Sequence, residues 1–591
     1  MFQTFSMFIL YWAYFIHHNL FFLGLFSGFL LLAFNEEENS KWKIAFAVLG
    51  VASSLPFGMY FIIPHLASVA GSDTQPSIFF LLAWAVCVGI SWVGCLWWLR
   101  SGVRKMNVLA DKITAKTELE RNQRTDVRNI FDFVPKKALE FDPLKYIEPS
   151  RGVFLGLDEK EQPVFVEFGK GNSAPHVQVV GTTGAGKGVS LGIMASQFMG
   201  RGEAVFFLDP KDDEWAPSVM FDASNRLKKP YYYINLNRPH GPQFNLMEGV
   251  SDIQAFELFQ AGFSLIDRGD ASDFYGIDDR FEADAVADMI SKNQVQNLAQ
   301  NISQNGFTLA QAYTASLSRM EENDEAGKKF YGKLREMAKV PSINAEAGGM
   351  SLKKVVEEGG CVYIVGSMRN DIIRTVQRML LVRLIQLAEE RDRMKGELRK
   401  ICIVLDEVKY YLSKPAQEAL GAARDKGVHL ILAHQSLGDL KDCTKDMSPD
   451  AVVDAVVENC RVKICYKVMS PVTAEWLAAM SGKILVDDES RTVVKNLMQA
   501  EIVDSKRSIR QAERYLMDEN MLMNLPPSVG VIYGAGLPKF VSIRPLKVPK
   551  TPDAIKIALA QGGVAKTAAD KLAELGAVED GKPGIDLPVI E

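Results

Sequence analysis

The chain has 591 residues, 48% of them hydrophobic and 24% charged, with a formal net charge of −5. That length exceeds what one hydrophobic core accommodates, and the composition is that of folded domains, which excludes a purely disordered or purely structural chain. The mild acidity excludes a protein coated in basic surface, although a narrow lumen can be positive inside an acidic molecule.

The apolar bias sits at the N-terminus. The first 34 residues hold no Asp, Glu, Lys or Arg, and only His17, His18 and Asn19 interrupt them. No basic segment precedes them, so they read as an anchor rather than a cleaved leader. The anchor is either one spanning helix with its N-terminus outside or a shallow hairpin turning at His17–Asn19; the single span is the preferred expectation. Adjacent histidines on a helix point in different directions, which favours a polar turn over a metal pair.

Two uncharged stretches follow, Ile44–His65 and Ile78–Leu99. Each is long enough to cross about 30 Å of hydrocarbon as a helix. The loop between them carries Asp73 and no Lys or Arg, whereas Arg100, Arg104 and Lys105 follow the second stretch. By the positive-inside rule the bulk of the chain is then cytoplasmic, with Trp42, Trp97 and Trp98 at the inner boundary. From Ser101 to about Phe133 the pattern is polar and helical, a stalk ending in a connector with Pro135 and Pro143.

The run His176–Val180 reads as a buried strand and opens into Gly181–Thr182–Thr183–Gly184–Ala185–Gly186–Lys187–Gly188, then a helical pattern beginning at Val189. This is the strand, glycine loop and helix of a P-loop, whose backbone N–H groups and helix N-terminus cradle phosphates. Lys187 is placed for the β- and γ-phosphates. One departure is Gly188, which stands where Ser or Thr usually supplies a magnesium ligand. Ser190 would leave the helix at another angle and is not expected to substitute.

A second strand, Ala204–Leu208, ends in Asp209–Pro210–Lys211 at the edge where ligands lie in an open α/β sheet. A third, Ile401–Leu405, runs into Asp406–Glu407, the paired acids of a Walker B strand. Asp406 is expected to hold magnesium through its water shell, and Glu407 to polarise the attacking water. After the strand Leu430–Ala433, Gln435 is placed to sense the γ-phosphate or orient that water. Arg424 is a candidate arginine finger for a neighbouring subunit, or else a local partner of Asp425 or Glu418.

In this order, two membrane segments, VVGTTGAGKG, FFLDPKDD, IVLDEVKYYL and ARDKGVHLILAHQSLGDL resemble the type IV secretion coupling proteins of the TraD/TraG family, over roughly residues 40–545. The GKG ending also resembles a variant within that family. The resemblance implies a RecA-like α/β P-loop motor domain with an inserted all-α domain, preceded by a transmembrane helical anchor. It also implies ATP and Mg2+ as cofactors, and a homo-hexamer with sites between subunits. The implied partners are DNA, bound non-specifically and single-stranded in transfer, a relaxase or relaxosome, and an inner-membrane secretion channel.

The expected organisation is an anchor over 1–100, a stalk over 101–150, a nucleotide domain over 151–251 and 341–548, a helical insertion over 252–340, and an acidic tail over 549–591. Such a chain would be a multi-pass protein of the bacterial inner membrane with its main body in the cytoplasm. Two other readings compete: an FtsK/HerA-like DNA pump without a secretion partner, and a membrane substrate receptor whose P-loop is inactive. Seven scattered cysteines with no CxxC pair suggest neither zinc nor a disulfide framework.

Overall fold

The computed structural model describes residues 2–35, 41–102, 120–121, 127–168, 175–237, 241–265, 271–299, 306–322, 327–392, 394, 396, 398–496 and 499–549. The chain forms two compact units, Met1–Asn122 with Leu485–Ala512, and Gln123–Ile484 with Glu513–Glu591. In chain order the strands are β1 (Glu120–Arg121), β2 (Val153–Asp158), β3 (Pro163–Val166), β4 (Val177–Val180), β5 (Ala204–Asp209), β6 (Tyr231–Asn235) and β7 (Gly360–Val365). They continue as β8 (Ile401–Leu405), β9 (Val428–His434), β10 (Val462–Cys465), β11 (Lys483–Asn496), β12 (Gln499–Tyr515), β13 (Val529–Tyr533) and β14 (Lys539–Ser542).

In the first unit, Trp42–Ala70 and Ile78–Ser101 are long and apolar enough to cross a membrane. The former is interrupted at Ser53–Ser54, whose hydroxyls donate back to the carbonyls of Gly50 (2.5 Å) and Val51 (2.6 Å). Over the N-terminal residues the chain breaks near the histidines: helices Thr4–Asn19 and Phe21–Phe34 are bent by 62°, the geometry of either one broken span or a re-entrant turn. The break follows from the polar residues there, because Asn19 Nδ2 donates to the Phe15 carbonyl (3.2 Å) and His18 Nδ1 lies 3.2 Å from that of Tyr14, ending the helix. His17 is buried, with its ring nitrogens 2.9 and 3.1 Å from the carbonyls of Pro56 and Ser77. Its polar atoms thus serve the packing of the anchor. Among the described residues no group of three or more His, Cys, Asp or Glu side chains is placed to hold a metal ion by itself.

The helical stalk expected over 101–133 is corrected where it is described. Glu120–Arg121 is a strand, pairing in parallel with β11 at Val486 and Asp487, and Val127–Asp132 is a 3-10 turn. A three-stranded sheet of order β1-β11-β12 results, built on a hairpin that the sequence reading did not single out. The remaining stalk, residues 103–119 and 122–126, and the tail from 550 onward lie outside the described residues.

The second unit is built on an eleven-stranded sheet of order β3-β2-β14-β13-β10-β4-β9-β8-β5-β7-β6. From β10 to β6 neighbours run parallel, and from β10 through β13, β14, β2 and β3 they run antiparallel. The parallel strands are near-continuous apolar runs because both faces are covered. Ala204, Phe206, Leu208 and Ile403 enter one core cluster, while Val205, Phe207 and Val404 enter another. Helix Lys187–Gly200 contributes Leu191, Met194 and Phe198 to the second cluster, and helix Asp371–Glu389 packs its apolar stripe into the first. This is a doubly wound, mostly parallel α/β sheet with a glycine loop at the end of β4.

Between β6 and β7 the described chain is helical: Asp252–Phe263, Ala271–Ala299, Leu309–Ala315, Leu317–Glu322 and Lys328–Ala338. Capping boxes at Ser251 and Thr308 start two of these helices. Leu258, Phe259 and Phe330 join the same cluster as the sheet residues Phe206 and Ile403, so the segment shares a core with the sheet.

The register of β2 shifts between Phe154 and Gly156, where Gly156 has φ 140° and an added Cβ would meet the Ser542 carbonyl oxygen at 2.3 Å. Gly156→Ala in the full chain is expected to lower stability by about 1–3 kcal/mol, read as a lower denaturant midpoint with unchanged slope.

Candidate nucleotide site

The C-terminal end of β4 delivers the glycine loop, and the helix Lys187–Gly200 leaves it. Gly181, Gly184 and Gly186 hold φ of 156°, 77° and 121°. At Gly181 a Cβ would also stand 2.7 Å from the Cβ of Tyr466, and at Gly186 a Cβ would stand 3.2 Å from the Tyr466 ring. Glycine is therefore required both for conformation and for close approach. The loop is braced from three sides: Thr182 N donates to Lys467 O (2.8 Å), Ser528 N to Ala185 O (3.0 Å), and Gly181 N to His434 O (3.3 Å). Thr183 and Gly184 form its exposed rim, and Val189 packs on the core below.

Lys187 is buried and its Nζ donates to Gly181 O at 2.5 Å. Burial pulls its pKa down, with the charge of Glu407 opposing and that of Lys211 adding to the fall. Gly188 is exposed, has no neighbour within 4 Å of an added Cβ, and needs no positive φ. A hydroxyl residue would thus fit there. Ser190 instead donates to Lys187 O at 2.9 Å and bonds Tyr466, so its hydroxyl is spent.

β8 sits between β9 and β5, which brings three strand ends together. Glu407 follows β8 with φ 55° and ψ 67°, a left-handed conformation costly for a non-glycine residue by about 1–3 kcal/mol. Its side chain is buried, and Lys211 Nζ donates to Oε1 at 2.6 Å while Gln435 Nε2 donates to the same atom at 3.0 Å. Lys211 also pairs with Asp406 at 3.1 Å. Gln435 is itself held, since Asp439 Oδ2 accepts from its backbone N–H at 2.9 Å.

One ammonium is thus shared by two carboxylates. Burial raises Glu407, but the hydrogen bonds from Lys211 and Gln435 and the charges of Lys211 and Lys187 outweigh it, so the group ends below its ordinary range. Asp406, raised chiefly by burial and next to Glu407, stays above its own despite Lys211. Lys211 loses to burial but gains more from Asp406 and Glu407, and its pKa rises. The arrangement is a buried carboxylate kept ionised beside a second carboxylate that shares the same ammonium.

Lys187, Asp406, Glu407 and Gln435 are therefore brought to one sheet edge with the glycine loop. Arg424 is not among them. It precedes β9, whose far end carries Gln435, so roughly 20 Å of strand separates the two. Arg424 is exposed, its Nε 3.7 Å from Asp425 Oδ1. Any finger role would act on another subunit's site. The sequence reading missed Lys211 as a partner of the acids, Tyr466 as the wall behind the glycines, and Asp439 as the anchor of Gln435. For Lys211 the available signal was its position just past a strand that ends at the ligand edge.

Two buried histidines flank β4. His176 precedes it, its Nε2 2.8 Å from Leu420 O; His434 ends β9, its Nε2 2.8 Å from Gln178 Nε2. Burial lowers both to about 4. The unfolded chain then binds more protons than the folded one between pH 6.5 and 4, so stability is intact above that window and falls through it. The expected loss is on the order of 3 kcal/mol for each histidine by pH 4. Melting curves across this range should show it, and His434→Gln should flatten the profile.

The residues fit a nucleoside triphosphate with a divalent cation: a loop whose Gly181 and Gly186 lie too close to Tyr466 for a side chain, a buried lysine at its end, and paired acids beside it. Comparison with known proteins adds the following. Residues 400–527 match the family model described as the TraM recognition site of TraD and TraG. Mobilization protein A of Escherichia coli is 27% identical over 382 residues, 64% of this chain and 66% of that protein, so the chain spans just under two thirds of this curated relative. Among solved structures, the bacterial conjugative coupling protein TrwBdeltaN70 covers 70% of this chain and 95% of its own, at 14% identity and a TM-score of 0.48. VirB4 of Thermoanaerobacter pseudethanolicus covers 66% and 96%, at 14% identity and a TM-score of 0.45. The matched segment, from β8 to the residues after β12, is similar to the corresponding part of the TraD and TraG proteins.

Proposed function

We propose that this chain is a membrane-anchored ATPase acting as a coupling protein of conjugative DNA transfer. The observation that carries the reading is the convergence of Lys187, Asp406, Glu407 and Gln435 on the glycine-loop edge of the sheet. The TraD/TraG match over residues 400–527, and a mobilization protein as relative, direct the ATPase reading toward conjugation.

In this reading the loop Gly181–Gly188 and Lys187 would bind the phosphates of ATP, and Asp406 would hold Mg2+. Mg2+, when bound, supplies charge neutralisation at the phosphate oxygens. Glu407, kept ionised in its buried place, takes the proton of the attacking water, and Gln435 fixes that carboxylate. Arg424 serves the site of the next subunit in a homo-hexamer. The N-terminal helices hold the protein in the bacterial inner membrane as a multi-pass anchor. Single-stranded DNA with its relaxase is the cargo, and an inner-membrane secretion channel is the destination. The helices of 252–340 and the acidic tail of 549–591 are assigned to substrate handling.

Lys187→Ala and Glu407→Gln are each expected to lower ATP turnover by at least about 100-fold, Glu407→Gln while keeping ATP binding, and both to abolish plasmid transfer in mating assays. Wild-type turnover should rise with DNA and lose that stimulation as salt is raised. Transfer that persists in both variants would favour the receptor with an inactive P-loop. Gly188→Ser should fold normally and reach half-maximal turnover at a lower Mg2+ concentration, because the open position accepts the hydroxyl without strain.

A further inference from the structure

We propose that Lys211 is a positioning residue for Glu407, selecting which carboxylate oxygen faces the attacking water; the proposal rests on the ATPase reading above. Glu407 stands at the end of β8, and its two neighbouring strands each send one donor to it. Lys211 comes from the β5 side and Gln435 from the β9 side, and both bonds fall on Oε1. A carboxylate gripped by one oxygen from two directions has its other oxygen, Oε2, set in orientation. The left-handed backbone of Glu407 makes this grip necessary, because nothing in the local propensity of the residue favours that conformation.

Lys211 is itself delivered by a rigid turn. Asp209, almost wholly buried, accepts from Lys211 N at 2.8 Å, from Asp213 N at 2.7 Å and from the Tyr363 hydroxyl at 2.7 Å. Tyr363 stacks between Phe207 and Tyr233 at centroid distances of 5.0 and 5.9 Å, and the Tyr233 hydroxyl donates to Asp212 Oδ1 at 3.0 Å. Asp212 adopts φ 59° within the turn. A pedestal of this kind presents an ammonium at a set place, which an ordinary solvated lysine at a strand end does not have. The charge serves a second purpose, since it also bridges to Asp406 and offsets the repulsion between adjacent carboxylates.

The test uses the full chain in detergent with ATP and Mg2+. Lys211→Met is expected to lower kcat roughly 10- to 100-fold with KM changed less than about 3-fold, and Lys211→Arg to recover most of the loss. Without nucleotide, Lys211→Met should lower the melting midpoint by about 2–4 °C in the wild-type background and by less than half of that in Glu407→Gln. Unchanged or raised kcat in Lys211→Met overturns the proposal, as does a loss confined to KM, which would make Lys211 a phosphate contact. Additive melting losses overturn it independently. A wild-type chain without turnover would sink the ATPase reading instead, and the melting cycle separates the two failures.

Discussion

The rest of the site depends on one buried carboxylate. Glu407 lies in a backbone region that non-glycine residues avoid, at the end of the middle strand of three, and is kept ionised by Lys211 and Gln435. Burial alone would push it toward the neutral form, as burial does to Asp406 beside it. Two adjacent acids therefore differ in character although they share the Lys211 ammonium: Glu407 ends below its ordinary range and Asp406 above its own.

Parallel pairing makes this possible. Because β4, β9, β8 and β5 all point the same way, their C-terminal ends bring the glycine loop, Gln435, the acid pair and Lys211 to one edge. The opposite ends carry Arg424 and the approach to His176, which is why Arg424 is remote from the chemistry of its own chain. Rigidity comes from the layers behind. Tyr466 closes the back of the glycine loop, and the stacked Tyr363 and Tyr233 support the turn that carries Lys211. The polar groups engaged in this scaffold are satisfied by one another, so the site edge resists rearrangement.

The apolar N-terminal helices follow a local rule. Their interruptions at Ser53–Ser54 and at Asn19–Phe21 are each accompanied by side chains bonding to carbonyls of the preceding turn, as a helix long and apolar enough to cross a membrane requires. Polar residues that resemble functional sites in the sequence thus act there as punctuation.

Much of the nucleotide-site edge was legible from the residues alone. Glycines at fixed spacing before a lysine, and paired acids after five apolar residues, state local chemistry, because the backbone conformation they demand is set within a few residues. The two helices long and apolar enough to cross a membrane were legible for the same reason, length and absence of charge being local properties. Several features were settled only by the tertiary structure: that Lys211 reaches Glu407, that Tyr466 forbids a side chain at Gly181, and that the β11–β12 hairpin exists where mixed polar and β-branched residues gave no clear period. The antiparallel strands β2, β3 and β14 and the strand at Glu120–Arg121 belong with them. Each depends on which strand lies beside which and in what register, and that is decided by burial across the whole sheet.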